Sequence, residues 1–337
     1  MCYKLGFSDY SPSYVFERKV FVSAMHIFGA GIEQASVRAG RAVDIMMKEI
    51  ENEPGRPFSP KNLLQSAIVV QIWAWLTSKS VALNDPIVKE INEFTSIFNR
   101  QAVLDSFISA YEKELAKENR KDIGSKDAGI QGLMLGALIG SGASSIWLTW
   151  FFLYMVLYPN VQSKIHEELD AAVGRERLPN RKDAENLPYL QATLCEVGRI
   201  SSISALSGTN TIRDTTIAGY SIPKGTFVVL NLSQVHKDER EWPEPEKFKP
   251  ERFLDHGGKF VGWNKLHGFL QFGIGRRECP GQTLGRITLF CFASMILHRY
   301  KIALPERAEI PTTKVSSPHL LTQPNDFLVV AKPRELK

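Results

Sequence analysis

The chain has few cysteines: Cys2, Cys195, Cys279 and Cys291 are the only four among 337 residues, and no two form a C-x-x-C pair. That scarcity excludes a disulfide scaffold and a zinc ribbon, and it fits a reducing compartment. Concentrated charge is lacking too. A net charge of +5 spread along the chain gives no argument for a nucleic-acid partner. Met1 to Arg18 has no long apolar run and carries Lys4, Asp9, Glu17 and Arg18, so it reads as neither a signal peptide nor a membrane anchor. Repeats and low-complexity tracts are missing.

What is present is an ordinary apolar content of 44%, in a chain long enough to enclose a cofactor within one domain over residues 1–337. No charged residue lies between Asp127 and Lys164, and by length this stretch could span a bilayer. Its first half is crowded with Gly136, Gly140, Ser141, Gly142, Ala143, Ser144 and Ser145. A helix surface stripped of side chains lets a flat group approach the backbone, so a buried helix is expected instead.

Apolar residues at three- and four-residue spacing predict helices over 16–28, 32–51, 60–78, 87–118, 129–158, 161–173 and 187–201. β-branched alternation over 209–217 and 219–232, with a turn at Pro223-Lys224-Gly225, predicts strands. A helix is expected from Pro280 to Tyr300 and a strand over 327–331. The fold class is mainly α with a minor β portion.

The chemistry concentrates at Phe272-Gly273-Ile274-Gly275-Arg276-Arg277-Glu278-Cys279-Pro280-Gly281. Glycines at 273, 275 and 281 let the backbone turn tightly and present the sulfur to a flat partner. Pro280 suits a first helical position, which would put Cys279 at a helix N-terminus that stabilises a thiolate. Arg277 supplies a cation for a carboxylate, and Phe272 can shield the sulfur from water. A free thiol on a surface loop is the ordinary meaning of a lone cysteine among glycines, but here the spacing F-x-x-G-x-R-x-C-x-G is met without a gap. Upstream, Glu196 and Arg199 stand one helical turn apart, and Arg252 offers a second guanidinium.

The cysteine loop resembles the haem-binding signature of the cytochrome P-450 family, and the likeness is nearest to the animal microsomal group that acts on drugs, fatty acids and steroids. The resemblance implies the fold of that family, incomplete at its N-terminus, and haem b held through a thiolate bond from Cys279 to iron. It implies cofactor contacts from Arg277, Phe272, Gly273, Gly275 and Gly281. It also implies Arg18, since Tyr14-Val15-Phe16-Glu17-Arg18 is similar to the family helix whose tryptophan and arginine reach a haem propionate. Glu196, Arg199 and Arg252 would form a buried structural lock. The implied reaction is a monooxygenation that places one oxygen atom from O2 in a small lipophilic substrate. Electrons would come from an NADPH-dependent flavoprotein reductase, at the cytosolic face of the endoplasmic reticulum membrane.

Three departures are visible. Thr209 stands where that group often has a propionate-binding histidine. Gly142 and Ala143 stand where the family usually has an acid and a threonine, and neither can transfer a proton. Ser144 comes next and is the candidate catalytic hydroxyl, although it faces about 100° around the helix. The family's anchor, early strands and pocket roof have no counterpart, and the region between Ser80 and Asp127 looks shortened. These departures leave an alternative: a haem-binding protein without monooxygenase turnover.

Overall fold

The computed structural model describes residues 10–27, 32–77, 79–92, 112, 126–315 and 321–334. Helix starts are set by a recurring device. Proline opens α1 (Pro12–Ile27), α3 (Pro60–Thr77), α4 (Pro86–Asn92), α6 (Pro159–Ala172) and α7 (Pro188–Ser201). At that position the missing N–H costs nothing and the fixed φ already suits the helix. In α1, Ser11 adds a cap by accepting the Tyr14 amide at 3.2 Å.

The remaining helices are α2 (Ile32–Asn52), the long α5 (Lys126–Leu157), the short α8 (Leu232–Val235) and α9 (Gln282–Arg299). α5 runs through the middle of the core. It packs on α3, α7 and α9, while α2 covers α3 and α9. Trp147, Trp150, Phe151, Phe152, Leu153 and Met155 on α5 are all buried. Among the described residues one segment, Gly140–Leu157, is long and apolar enough to cross a membrane, and 61% of it is buried inside the protein. It is a core helix.

Among the described residues the β portion consists of three two-stranded antiparallel ribbons. β1 (Leu206–Asn210) pairs with β4 (Phe227–Asn231), β2 (Thr215–Ile217) with β3 (Tyr220–Ile222), and β5 (Tyr300–Ala303) with β6 (Val330–Pro333). The two strands expected over 209–232 are therefore four. The breaks have a cause: the Thr211 hydroxyl donates to Pro223 O at 2.6 Å and accepts from the Thr226 amide at 3.1 Å. Asp214 in turn accepts the Lys224 amide at 2.7 Å. Side chains take over bonds that a continuous ladder would have made.

Other boundaries move as well. The helix expected from Pro280 begins at Gln282, after a turn that contains Pro280. The helix expected over 87–118 is described as α4 and then leaves the described residues. The tail strand sits at 330–333, and its partner β5 was not anticipated.

Candidate functional site

The loop between Phe272 and Gly281 is closed at its base by one backbone bond, the Cys279 amide donating to Phe272 O at 2.7 Å. Within it, Gly273 (φ +76°) and Gly275 (φ +67°) adopt the left-handed conformation, and residues 275–277 form a single 3-10 turn. Side chains other than glycine are strained there, which is why both positions need it. Gly281 differs: a Cβ on it would make only ordinary contacts, 3.9 Å from Cys279 Sγ and 4.0 Å from the Phe21 ring.

Helix α1 docks directly on this loop. Arg18 donates to Glu278 O at 2.5 Å and lies 3.6 Å from the Glu278 carboxylate. The Arg277 guanidinium sits 4.1 Å from the centre of the Tyr14 ring, and the Tyr14 hydroxyl donates to Arg276 O at 3.5 Å. Two segments some 260 residues apart thus share one site, as the likeness of Tyr14 to Arg18 suggested. Arg18 reaches the loop but spends one arm on Glu278. Arg277 keeps Nη1 buried with no hydrogen-bond partner while its guanidinium lies over the Tyr14 ring.

Burial pushes the Cys279 thiol pKa up, against the opposing pull of the Gly281 amide, Arg18 and Arg286. The expectation that the loop alone would favour a thiolate is thus corrected. Cys279 lies in a turn before the helix instead of at its first position, and desolvation outweighs the nearby amides and cations. A bound metal cation reverses that balance.

The lock beneath the loop is fully formed. Arg199 donates to the Glu196 carboxylate from Nε at 2.7 Å and from Nη2 at 2.8 Å. It also donates to the carbonyls of His236 and Pro245, each at 2.8 Å. Arg252 Nε lies 3.4 Å from Glu196, and the Lys249 amide donates to the same carboxylate at 2.9 Å. Glu196 and Arg199 have no exposed side-chain surface. Bidentate pairing between Arg199 and Glu196 favours a fixed geometry for the buried ion pair, while Arg252 Nε stands at ion-pair distance without a hydrogen bond.

Two residues in this region were given no role from the sequence, although His236 belongs to the stretch that resembles the family's segment before the cysteine loop. His236 is buried; its Nε2 accepts the Leu270 amide at 3.1 Å, and Nδ1 lies 3.1 Å from Ser202 Oγ. Burial, with Arg199 adding to it, lowers its pKa to about 4. Trp147 is the second, a buried indole that stacks on Phe272. A histidine in an irregular stretch and a tryptophan in an apolar helix give no local signal.

The candidate hydroxyl of Ser144 donates back to Gly140 O at 3.1 Å on its own helix. Cβ atoms placed on Gly140 or Gly142 would meet nothing within 4 Å, so α5 borders open space at both positions, which stand about 200° apart around the helix. Thr209 is paired with Val228 across β1 and β4.

A sequence model of the cytochrome P-450 family matches residues 99–331. Steroid 17-alpha-hydroxylase/17,20 lyase of the shark Squalus acanthias is 30% identical, covering 98% of this chain and 75% of its own length. The same enzyme of the frog Rana dybowskii is 31% identical over comparable shares. The aligned stretch with the shark protein runs over 387 positions against the 337 residues here, so the relative carries internal segments that this chain lacks. A zebrafish cytochrome P-450 solved with progesterone superimposes with a TM-score of 0.82 at 26% identity, covering 98% of this chain and 84% of that one. The chain belongs to the cytochrome P-450 family, haem-thiolate monooxygenases of which the animal microsomal type is the group it resembles.

The residues present fit the cofactor that this family carries. Cys279 offers a soft sulfur donor in a loop whose Gly273 and Gly275 adopt the left-handed conformation. Arg277 holds a buried, unpartnered cationic donor suited to a carboxylate.

Proposed function

We propose that this chain is a haem-dependent monooxygenase in which Cys279 ligates the iron of haem b, and that it oxidises a small lipophilic substrate. The observation that carries this reading is the closed loop from Phe272 to Gly281 with the orphaned Arg277 donor at its side. Haem bound there would supply the activation of O2. The chain's own residues do the rest. Gly273, Gly275 and Gly281 shape the loop around the sulfur, and Phe272 covers it from water. Arg277 and Arg18 face the haem carboxylates, and the Glu196–Arg199–Arg252 lock holds the segment preceding the loop.

The relatives named as steroid hydroxylases support a lipophilic substrate, and the open space beside α5 at Gly142 is where it would lie. An NADPH-dependent flavoprotein reductase is the electron donor, and the microsomal relatives support a place on the cytosolic face of the endoplasmic reticulum membrane. The test is the optical spectrum of the reduced, haem-loaded protein with carbon monoxide, followed by reductase-dependent turnover of progesterone and other lipophilic probes. A red-shifted Soret band that disappears in Cys279→Ser is expected. A band that survives the substitution overturns the assignment.

A second reading, haem binding without monooxygenase turnover, is favoured by one feature. Gly142 and Ala143 carry no proton-transferring group, and the Ser144 hydroxyl is bonded to Gly140 O. Full haem loading with no product from any probe is its signature.

A further inference from the structure

Trp147 joins three parts of the molecule that the sequence keeps far apart. Its indole N–H donates to Leu194 O on α7 at 2.9 Å. Its six-membered ring fills the place of a side chain at position 198. A Cβ on Gly198 would overlap Cζ2 and stand 2.8 Å from Cη2, so the glycine between Glu196 and Arg199 is what admits the indole.

The indole also stacks on Phe272, with ring centres 5.4 Å apart and planes 27° apart, and it meets Trp263 edge-on at 6.0 Å. Arg286 lies 5.2 Å from the centre of the Phe272 ring, and Gly285 leaves room at its edge. Phe272 is the residue whose carbonyl receives the Cys279 amide at 2.7 Å. The ring and the carbonyl belong to one residue, so a shift of the stack moves the acceptor that fixes the cysteine.

We propose that Trp147, admitted by Gly198, is a positioning residue for the axial ligand: it holds Phe272, and through Phe272 the sulfur of Cys279, against the lock helix. This rests on Cys279 being the iron ligand. Packing in the interior is dense enough to transmit such a displacement across one ring. The position has no proton to give and needs no contact with substrate, so its effect belongs to the ligand's geometry.

The experiment uses the haem-loaded full chain and compares Trp147→Leu, Trp147→Phe and Gly198→Ala with the parent. It reads the reduced carbon-monoxide spectrum as the ratio of the thiolate-type band to the band of displaced or neutral sulfur, with the melting temperature beside it. Trp147→Leu is expected to lower the ratio about two- to tenfold, the factor that a lost aromatic stack carries. Trp147→Phe keeps a ring and is expected to retain most of the ratio. Gly198→Ala deletes no ring yet displaces the indole, and it should lower the ratio as Trp147→Leu does. Variants that melt earlier with an unchanged ratio overturn the proposal, since the indole would then be core packing alone. If Trp147→Leu does not fold, an undiminished ratio in Gly198→Ala overturns it. A parent without a thiolate-type band overturns the ligand assignment, and the proposal with it.

Discussion

Replacing Glu196 by alanine removes the carboxylate on which the lock converges. Arg199 would lose two hydrogen bonds, at 2.7 and 2.8 Å, and Arg252 the charge 3.4 Å from its Nε. The His236 and Pro245 carbonyls would still bind Arg199, but two guanidinium groups would face one another with no anion between them. Stranding a buried charge in this way costs about 3–5 kcal/mol. With an unfolding entropy of roughly 2.1 cal/mol/K per residue over 337 residues, that loss lowers the melting temperature by about 4–7 °C. The assay is thermal unfolding followed by circular dichroism, on the haem-loaded and the haem-stripped chain alike. Glu196→Ala combined with Arg199→Met should be less harmful than the two single losses added, because removing both charges strands neither. A shift below about 1 °C, or strict additivity in the double variant, refutes the lock.

Three other outcomes follow from the same geometry. His236 has its pKa lowered to about 4, so the folded state favours the neutral ring. Its contribution of about 3 kcal/mol is present above pH ~6.5 and is lost as pH falls towards 4, where the unfolded chain binds the proton first. Melting temperature against pH from 7 to 4.5 should therefore fall steeply in the parent and less steeply in His236→Gln; equal slopes count against the ring. Arg277→Ala should raise the rate at which haem passes to apomyoglobin, because the orphaned Nη1 is the free donor beside the loop. An unchanged rate removes Arg277 from the cofactor contacts. Gly142→Asp combined with Ala143→Thr restores the acid and hydroxyl that this helix lacks. Product formation from a silent parent would support the non-turnover reading, and efficient turnover by the unmodified chain ends it.

How much of this was legible beforehand depends on the range of each interaction. The cysteine loop is local. Its glycines, its arginine and its sulfur lie within ten residues, and the conformations that need glycine at 273 and 275 are properties of single residues. Helices opened by proline are equally local, and those starts fall where the spacing put them, within a few residues. Breaks caused by side chains were not legible, as at Thr211 and Asp214, whose partners stand 10 to 15 residues further on.

The sequence by itself therefore determined the mainly helical class, the position of the glycine-rich cysteine loop and the residue types of the lock. Only the tertiary structure decided which groups meet. It put Arg18 and Tyr14 on the loop, joined Arg199 to Glu196, His236 and Pro245, and placed Trp147 in the space that Gly198 leaves. It also buried the Cys279 thiol, which pushes its pKa up against the pull of the Gly281 amide and nearby cations. The physical reason is common to all four. Desolvation and packing depend on everything that surrounds a group, and most of what surrounds these groups arrives from distant parts of the chain.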